Sequence, residues 1–333
     1  MLPRLRSQRS ARAVVAGEAV TLARTIAAMT AAAVNPMNWR TAALLTVPPL
    51  LWAGNAVVGQ IVVPLIPPMT LNFLRWAIAF LVLLPLGGQV FRPSSKLWSH
   101  WRRFALLGLL SVGAFNSLQY LALHTSSALN ITLLGASMPF WMMSIGRMLF
   151  GVRVSRTQIL GALLAVVGAI VVVSRGQLAS LVNVHWVQGD LYMVLAILCW
   201  SLYSWLLARP TEPTEIRSDW AAFLLAQIGF GLVWSALFVV GEWVWAPTPI
   251  VWGWPLAIAL IFVALGPAVI AYRCWSAGVT AAGPTVAGFF SNLTPLFAAV
   301  MSSAFLGAAP KAYHAVAFVL IMAGIALSSR KLT

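Results

Sequence analysis

Aromatic and amide side chains recur inside the apolar stretches of this sequence, and two sets of them share one spacing. Trp52 and Asn55 are separated by the same interval as Trp200 and Tyr203. Indole and phenol rings offer flat stacking surfaces, and an amide both donates and accepts hydrogen bonds, so the chemistry indicated is non-covalent binding of an amphipathic molecule. For any one residue, helix packing is an equal alternative. The residues that we predict to line a binding cavity are Trp52, Asn55, Asn116, Tyr120, Trp200, Tyr203, Tyr272, Trp275 and Asn292.

Two arginines and two prolines inside apolar segments could act on such a cavity. Arg75 either extends towards the lipid headgroups or makes a structural hydrogen bond to backbone carbonyls, or it faces the cavity and attracts a ligand's carboxylate. For Arg273 we expect gating or the same extension towards the headgroups. Pro139 and Pro295 lie at matching depths and remove backbone hydrogen bonds, so we predict paired hinges, with ordinary kinks as the alternative.

Signatures of catalysis and of metal binding are missing from the sequence. It contains no HExxH, no GxSxG, no paired intramembrane aspartates and no nucleotide-binding glycine-rich loop. No two histidines have metal-ligand spacing, and Cys199 and Cys274 lie in apolar stretches without a CxxC pattern. We therefore expect no enzymatic activity, no cofactor and no metal.

The elements that must position these residues are helices in a lipid bilayer. Hydrophobic residues make up 61% of the 333 residues and charged residues only 8%, with a mean hydropathy of +0.91, whereas soluble proteins are about 25% charged. Apolar runs of about 20 residues, which is the length that crosses a bilayer core, follow one another nearly end to end. We predict an all-α polytopic membrane protein with ten transmembrane helices, at residues 42–63, 69–88, 102–123, 127–150, 156–174, 187–208, 218–240, 252–274, 281–306 and 311–328.

The net charge of +15 is distributed unevenly across the predicted membrane. All but four of the 21 Lys and Arg residues fall on one side, the exceptions being Arg75 and Arg273 inside spans and Arg175 and Lys311 in opposite loops. Basic loops stay in the cytoplasm, so this placement predicts cytoplasmic termini and an even number of spans in a bacterial-type inner membrane. The same placement argues against nucleic acid as a partner.

The sequence also repeats itself. An offset of 156 residues aligns Pro139 with Pro295 and Asn116 with Tyr272. We predict a cytoplasmic, disordered tail at 1–38, a first five-helix repeat at 39–180 and a second at 181–333. Because five is odd, the second repeat enters the membrane from the opposite side, and such inverted repeats are typical of transporters. Met37, directly before the first apolar run, is an alternative natural start to Met1.

Several short motifs resemble the EamA-type drug/metabolite transporters over roughly residues 40–330. They lie at residues 50–55, 71–76, 122–128, 137–139, 149–151, 158–162 and 167–168. The resemblance implies ten spans in two inverted five-helix repeats. One departure is that Val152 and Ala308 stand where that family commonly has Glu after a Phe-Leu-Gly-type turn. In length and in its Ala-, Trp- and Pro-rich composition the chain is most similar to the YddG-type exporters of aromatic amino acids.

From the residues and the resemblance together we predict a secondary transporter that exports small metabolites, aromatic or other amphipathic amino acids, by alternating access through a cavity between the repeats. The alternatives are a multidrug or other metabolite carrier of the same fold, a passive channel and a membrane enzyme. All six carboxylates fall in the tail, loops or span ends, so we predict facilitated or weakly coupled efflux. The expected partners are the substrate and the lipid bilayer, with the protein a monomer or weak dimer.

Overall fold

The computed structural model describes residues 37–62, 64–177, 181, 185–245, 248–306 and 311–329. The predicted tail at 1–38 lies almost wholly outside these residues. In the described part of the chain the regular structure is helical, with short 3-10 turns at Gly88–Phe91 and Trp98–His100. The helices are α1 (Trp39–Val62), α2 (Pro68–Gly87), α3 (Trp101–Gly108), α4 (Asn116–Thr125), α5 (Ala128–Ala136), α6 (Met138–Phe150), α7 (Arg156–Val173), α8 (Gln188–Ala208), α9 (Thr214–Ser218), α10 (Trp220–Trp245), α11 (Trp254–Val263), α12 (Ala271–Ala282), α13 (Pro284–Ser291), α14 (Leu293–Leu306) and α15 (Ala312–Ser328).

Eight helical stretches in the described residues are long and apolar enough to cross a membrane. A further apolar helix, α15, has 17 residues. A chain in lipid must satisfy its backbone polar groups internally, which continuous helices do. The prediction of an all-helical, polytopic membrane protein is therefore confirmed for this part of the chain.

Two of the predicted spans are broken helices rather than continuous ones. The predicted span at 127–150 consists of α5 and α6, interrupted at Ser137, and the one at 281–306 consists of α13 and α14, interrupted at Asn292. Pro139 and Pro295 stand in the first turn of the second helix of each pair, where a missing N–H costs no hydrogen bond. The prolines thus follow the breaks instead of lying inside unbroken helices.

Two π-helical segments interrupt other long helices at corresponding places. Leu109–Phe115 joins α3 to α4, and Ala264–Ile270 joins α11 to α12. In the second segment Pro267 has no N–H for the regular ladder. In the first, the Ser111 hydroxyl donates to the Leu107 carbonyl over 2.7 Å and competes with the ladder there. Ser111 and Pro267 are separated by the same 156 residues as Asn116 and Tyr272.

Some predicted boundaries were wrong because polar residues continue a helix that they were expected to end. The helix that begins at Trp254 was predicted to end at residue 274 but runs to Ala282. Thr280 donates its hydroxyl to the Ser276 carbonyl over 2.8 Å, so both stay within the helix. The stop comes at Gly283, whose φ of +85° lies in the left-handed region that favours glycine.

Small residues bring α7 and α15 into backbone contact. A Cβ added to Gly324 would lie 2.6 Å from the Gly161 carbonyl oxygen, and one added to Gly161 would lie 2.7 Å from the Gly324 carbonyl oxygen. One added to Gly168 would lie 3.0 Å from the Ala317 carbonyl oxygen. Close approach of this kind increases dispersion contacts between helices that lipid alone would not drive together.

Candidate functional site

Trp200 of α8 is the centre of a group of six aromatic rings. Its ring centroid lies 4.8 to 5.4 Å from those of five neighbours, within the range of favourable edge and offset contacts. The exposed fractions of Trp200, Tyr272 and Trp275 are 1%, 2% and 0%, whereas Trp52 is partly exposed. We call this group the central cluster; its members are Trp52, Phe115, Trp200, Tyr203, Tyr272 and Trp275.

Hydrogen bonds to neighbouring helices hold several of these rings, whereas the indole N–H of Trp200 is buried without a partner among the described residues. Trp275 donates its indole N–H to the Ser204 hydroxyl over 3.1 Å. Tyr203 donates to Gln227 Oε1 over 3.0 Å. Trp52 donates to the carbonyl of Pro267, in the second π-helical segment, over 3.3 Å. The cluster is therefore held by directional contacts as well as by apolar burial.

A polar network adjoins the cluster at Tyr272. The Tyr272 hydroxyl and the Asn116 amide nitrogen both donate to the Ser111 carbonyl, over 3.1 and 3.0 Å. The Asn116 nitrogen also reaches the Tyr272 oxygen at 3.3 Å. Ser111 belongs to the first π-helical segment. Each π-helical segment thus supplies one carbonyl, from Ser111 or Pro267, to aromatic side chains of the site.

Arg75 joins the same network from α2. Its Nη2 donates to Asn116 Oδ1 over 2.9 Å, and its guanidinium carbon lies 5.1 Å from the centre of the Trp76 ring. Only 3% of Arg75 is exposed, so the expectation that it extends to the lipid headgroups is wrong. Protein surrounds it on all sides. The Trp76 ring in turn lies 4.8 Å from that of Tyr272.

The remaining predicted residues lie outside this network or at its edge. Asn55 and Tyr120 are partly exposed. Asn292 is 1% exposed at the α13–α14 break, and its amide nitrogen has no partner among the described residues. Arg273 is exposed, with its guanidinium carbon 4.2 Å from the Trp220 ring centre, away from the cluster.

Sequence reasoning missed four residues of the site: Trp76, Ser111, Phe115 and Pro267. Trp76 lies directly after Arg75 in the family-like motif at residues 71–76, and Ser111 aligns with Pro267 at the repeat offset. That offset was a signal that could have identified Ser111 and Pro267. Their role depends on backbone carbonyls freed by π-helical geometry, which residue types do not reveal.

The buried carboxylates in the described residues brace helix ends instead of joining the central cluster. Asp190 accepts from the Ser126 hydroxyl, from the Asn130 amide and from the Val187 N–H. Glu212 pairs with Arg103, Nε to Oε1, at 2.8 Å and with Arg217, Nη1 to Oε2, at 3.7 Å. Burial lowers the pKa of the Arg217 guanidinium, and Glu212 opposes that change. Among the described residues, no three His, Cys, Asp or Glu side chains converge to hold a metal.

Glu242 spans two helices at the other end of the molecule. Its carboxylate accepts from the backbone N–H groups of Met69 and Thr70 and from the Thr70 hydroxyl, each over 2.8 Å. The two backbone N–H groups belong to the first turn of α2 and have no partner within that helix, so the carboxylate of Glu242 caps α2 from α10. The cap accounts for this acidic residue as a structural one.

Several known proteins are similar to this chain in sequence. A curated transporter of Archaeoglobus fulgidus, itself uncharacterized, is 25% identical across 89% of this chain and 99% of its own length. The uncharacterized transporter YyaM of Bacillus subtilis is 25% identical across 71% of this chain and 75% of its own length. The aromatic amino acid exporter YddG of Ancylobacter novellus is 23% identical across 84% of this chain and 93% of its own length.

A solved crystal structure shares the fold, with a TM-score of 0.68, 21% identity and coverage of 86% of this chain and 95% of that one. The sequence profile described as the EamA-like transporter family matches the chain twice, at residues 39–174 and 187–330. The two matches together cover most of the chain. It therefore belongs to the EamA-like transporter family, as a multi-pass membrane transporter and not an enzyme.

Proposed function

We propose that this transporter exports aromatic or other amphipathic amino acids by alternating access through a cavity between two inverted five-helix repeats. The observation that carries the proposal is the central cluster together with its polar network, which contains six of the nine predicted cavity residues, from α1, α4, α8 and α12. Rings there can stack on an aromatic side chain, and the adjoining amide and guanidinium groups can bind its polar end.

A count of ten spans is supported by adding two segments to the eight long apolar helices. One is α15, and the other is the broken pair α5 and α6. An even number agrees with both termini in the cytoplasm, which is the side that the basic loops favour. In this arrangement residues 39–180 and 181–333 hold five spans each, behind a cytoplasmic tail at 1–38.

Contacts between equivalent positions support an approximate two-fold relation between the repeats. Asn116 and Tyr272, which align at the 156-residue offset, bond to each other. The Gly161–Gly324 contact has its counterpart at Gly168 and Ala317, since the offset exchanges the two pairs. Residues that touch their own repeat equivalents must lie near a symmetry axis, and transporter sites form at such repeat interfaces.

The choice of substrate class has two supports. The cluster offers aromatic surface beside donors and acceptors, and a relative that covers most of the chain is named as an aromatic amino acid exporter. A multidrug or other metabolite carrier of the same fold is the alternative. Asp190, Glu212 and Glu242 are bound at helix ends and do not join the central cluster, which supports facilitated or weakly coupled transport.

Counterflow in proteoliposomes tests this proposal. Vesicles that contain the purified protein and excess unlabelled L-tryptophan should accumulate labelled L-tryptophan, with saturation at high concentration, because a carrier exchanges its substrate. Trp200→Ala and Tyr272→Ala should each lower the initial rate roughly tenfold or more, since stacking on an aromatic ring contributes about 1–3 kcal/mol. Trp98→Ala, an exposed tryptophan outside the site, is the matched control.

Other outcomes would contradict specific parts of the proposal. Flux that never saturates and shows no counterflow would make the protein a channel. Strong acceleration by an imposed pH gradient would contradict facilitated transport, and absence of flux for every aromatic amino acid would remove the substrate class.

A further inference from the structure

Arg75 is a buried cation without a counter-ion among the described residues. No carboxylate in that part of the chain lies within 4.0 Å of its guanidinium, since the ion pairs found there involve Lys96, Arg103 and Arg217. A charge removed from water is costly unless an opposite charge or a full set of hydrogen bonds compensates it. Arg75 has one neutral acceptor, Asn116 Oδ1, and the face of the Trp76 ring.

Two donors at this place have no acceptor. Arg75 Nε and Trp76 Nε1 are buried and make no hydrogen bond within the described residues. The two groups belong to side chains in cation–π contact at 5.1 Å. Buried N–H groups are nearly always satisfied in folded proteins. Trp200 Nε1 and Asn292 Nδ2 are also without a partner among the described residues, but Arg75 Nε belongs to a buried cation that has no counter-ion there. Unsatisfied donors beside such a cation point to an anionic ligand group.

Asn116 cannot take the place of that anion. Its amide nitrogen is held by the Ser111 carbonyl at 3.0 Å, which turns its oxygen towards Arg75. The oxygen is uncharged and occupies one of the five N–H donors of the guanidinium. The network therefore fixes the orientation of Arg75 while leaving its charge available.

From these observations we infer that Arg75, with Trp76 Nε1 as a second donor, binds the carboxylate of the transported molecule. The inference rests on the proposed function and narrows it. Trp76 contacts Tyr272, and Tyr272 contacts Trp200, at 4.8 and 5.3 Å between ring centroids. A ligand with its ring in the central cluster can thus present its carboxylate to Arg75. The substrate class is aromatic carboxylates, and aromatic amines without a carboxylate are excluded.

Paired probes that differ only in the carboxylate test this assignment. Purified protein in detergent is titrated with L-tryptophan, indole-3-propionate and tryptamine, and with phenylalanine and phenethylamine, and the ligand-induced rise in Tm gives each Kd. The variants are Arg75→Gln, Arg75→Lys and Asn116→Asp. Arg153→Gln, an exposed arginine of the loop between α6 and α7, is the matched control.

Wild-type protein and Arg153→Gln should prefer the carboxylate-bearing member of each pair. Arg75→Gln should weaken binding of those probes roughly tenfold or more, the usual loss for a charge-assisted hydrogen bond, and change tryptamine binding less than about twofold. Arg75→Lys should retain part of the preference because it keeps the charge but not the planar fork. Asn116→Asp should also remove the preference, because its new carboxylate occupies Arg75.

The last variant separates recognition from a structural role. If Arg75 only ties α2 to α4, Asn116→Asp strengthens that tie and leaves ligand preference unchanged, which would overturn the inference. Equal preference in Arg75→Gln and wild type would do the same. If Arg75→Gln aggregates on size exclusion, the ligand preferences of Asn116→Asp and Arg75→Lys decide between recognition and a structural role. Wild-type binding of tryptophan with no carboxylate preference defeats this inference alone, whereas binding of no aromatic probe defeats the proposed function as well.

Discussion

Two backbone carbonyls, those of Ser111 and Pro267, fix the aromatic side chains of this transporter. Each belongs to a π-helical segment, and each accepts a hydrogen bond from a ring of the central cluster, from Tyr272 or from Trp52. A π-helical turn departs from the regular i to i−4 ladder, so its carbonyls can serve side chains of other helices. The irregular backbone thus supplies hydrogen-bond acceptors to the side chains of the site.

At the residue scale, Tyr272→Phe tests how much that arrangement stabilises the fold. The ring contacts remain, but the hydroxyl that donates to Ser111 and accepts from Asn116 is lost. Because Asn116 still satisfies the Ser111 carbonyl, the expected loss is about 1 kcal/mol, the net value of a hydrogen bond without an orphaned partner. Thermal unfolding in detergent should give a lower Tm.

Tyr192→Phe is the control for that measurement, since it removes an exposed hydrogen bond from Gln188 of 2.7 Å. Its Tm should stay close to that of wild type. An equal decrease in Tm for both variants would mean that the buried network stabilises the fold no more than an exposed hydrogen bond does.

The repeat pattern in the sequence selected residues that the structure brings close together, but it did not predict their contacts. Trp52 and Trp200, each the first member of a pair with the same spacing, are in ring contact. Asn116 and Tyr272, which align at the 156-residue offset, form a hydrogen bond. The burial of Arg75 could not be predicted in this way, because a sequence does not say whether lipid or protein surrounds a given turn of a helix. Arg75 is buried by its tertiary contacts, which include Asn116 of α4.

At the element scale, the broken helices and π-helical segments occur in the same order in both halves. In each half a helix with a π-helical segment precedes a helix pair broken near a proline. The sequence predicted that these segments are helical but not their interruptions. The reason is that apolar runs carry little periodicity in a membrane protein, so hydropathy identifies a span without locating a break inside it.

Close packing of α7 against α15 makes a second prediction possible at this scale. Gly324→Ala places a Cβ 2.6 Å from the Gly161 carbonyl oxygen and 3.0 Å from the Ala165 Cβ. Both obstacles belong to helix backbone or its first side-chain atom and cannot rotate away, so we expect a loss of about 1–3 kcal/mol. Urea or thermal unfolding in detergent measures it.

Gly59→Ala is the matched control in another helix. A Cβ at Gly59 meets nothing within 4 Å, and alanine is the better helix former by about 1 kcal/mol. This variant should be as stable as wild type or more so. If Gly324→Ala were equally tolerated, the α7–α15 contact would not stabilise the protein.

At the scale of the whole molecule, equivalent residues repeatedly meet one another. Asn116 bonds Tyr272, and the glycine contacts of α7 and α15 exchange under the repeat offset. A chain with two copies of one domain can form such self-equivalent contacts only around an axis between the copies. The candidate site takes its residues from both copies and so lies where they meet.

The proposed inversion of the second repeat predicts which side of the membrane each loop faces. The loop after α1 has no charged residue in 63–67. The connection between α8 and α10, which includes the short helix α9, contains Arg209 and Arg217. In inverted repeats these equivalent loops lie on opposite sides, with the basic one in the cytoplasm. Pro64 and Thr211 are exposed residues of the two loops.

Single cysteines at these two positions can report the orientation, in a background where Cys199 and Cys274 are replaced by alanine. In intact cells, a membrane-impermeant maleimide should label Pro64→Cys and leave Thr211→Cys unlabelled, and inverted vesicles should reverse the result. The cysteine-free background is the control for non-specific reaction. Labelling of both positions from the same side would mean that an even number of spans separates them. The repeats would then not be inverted five-span units, and the alternating-access proposal would lose its structural basis.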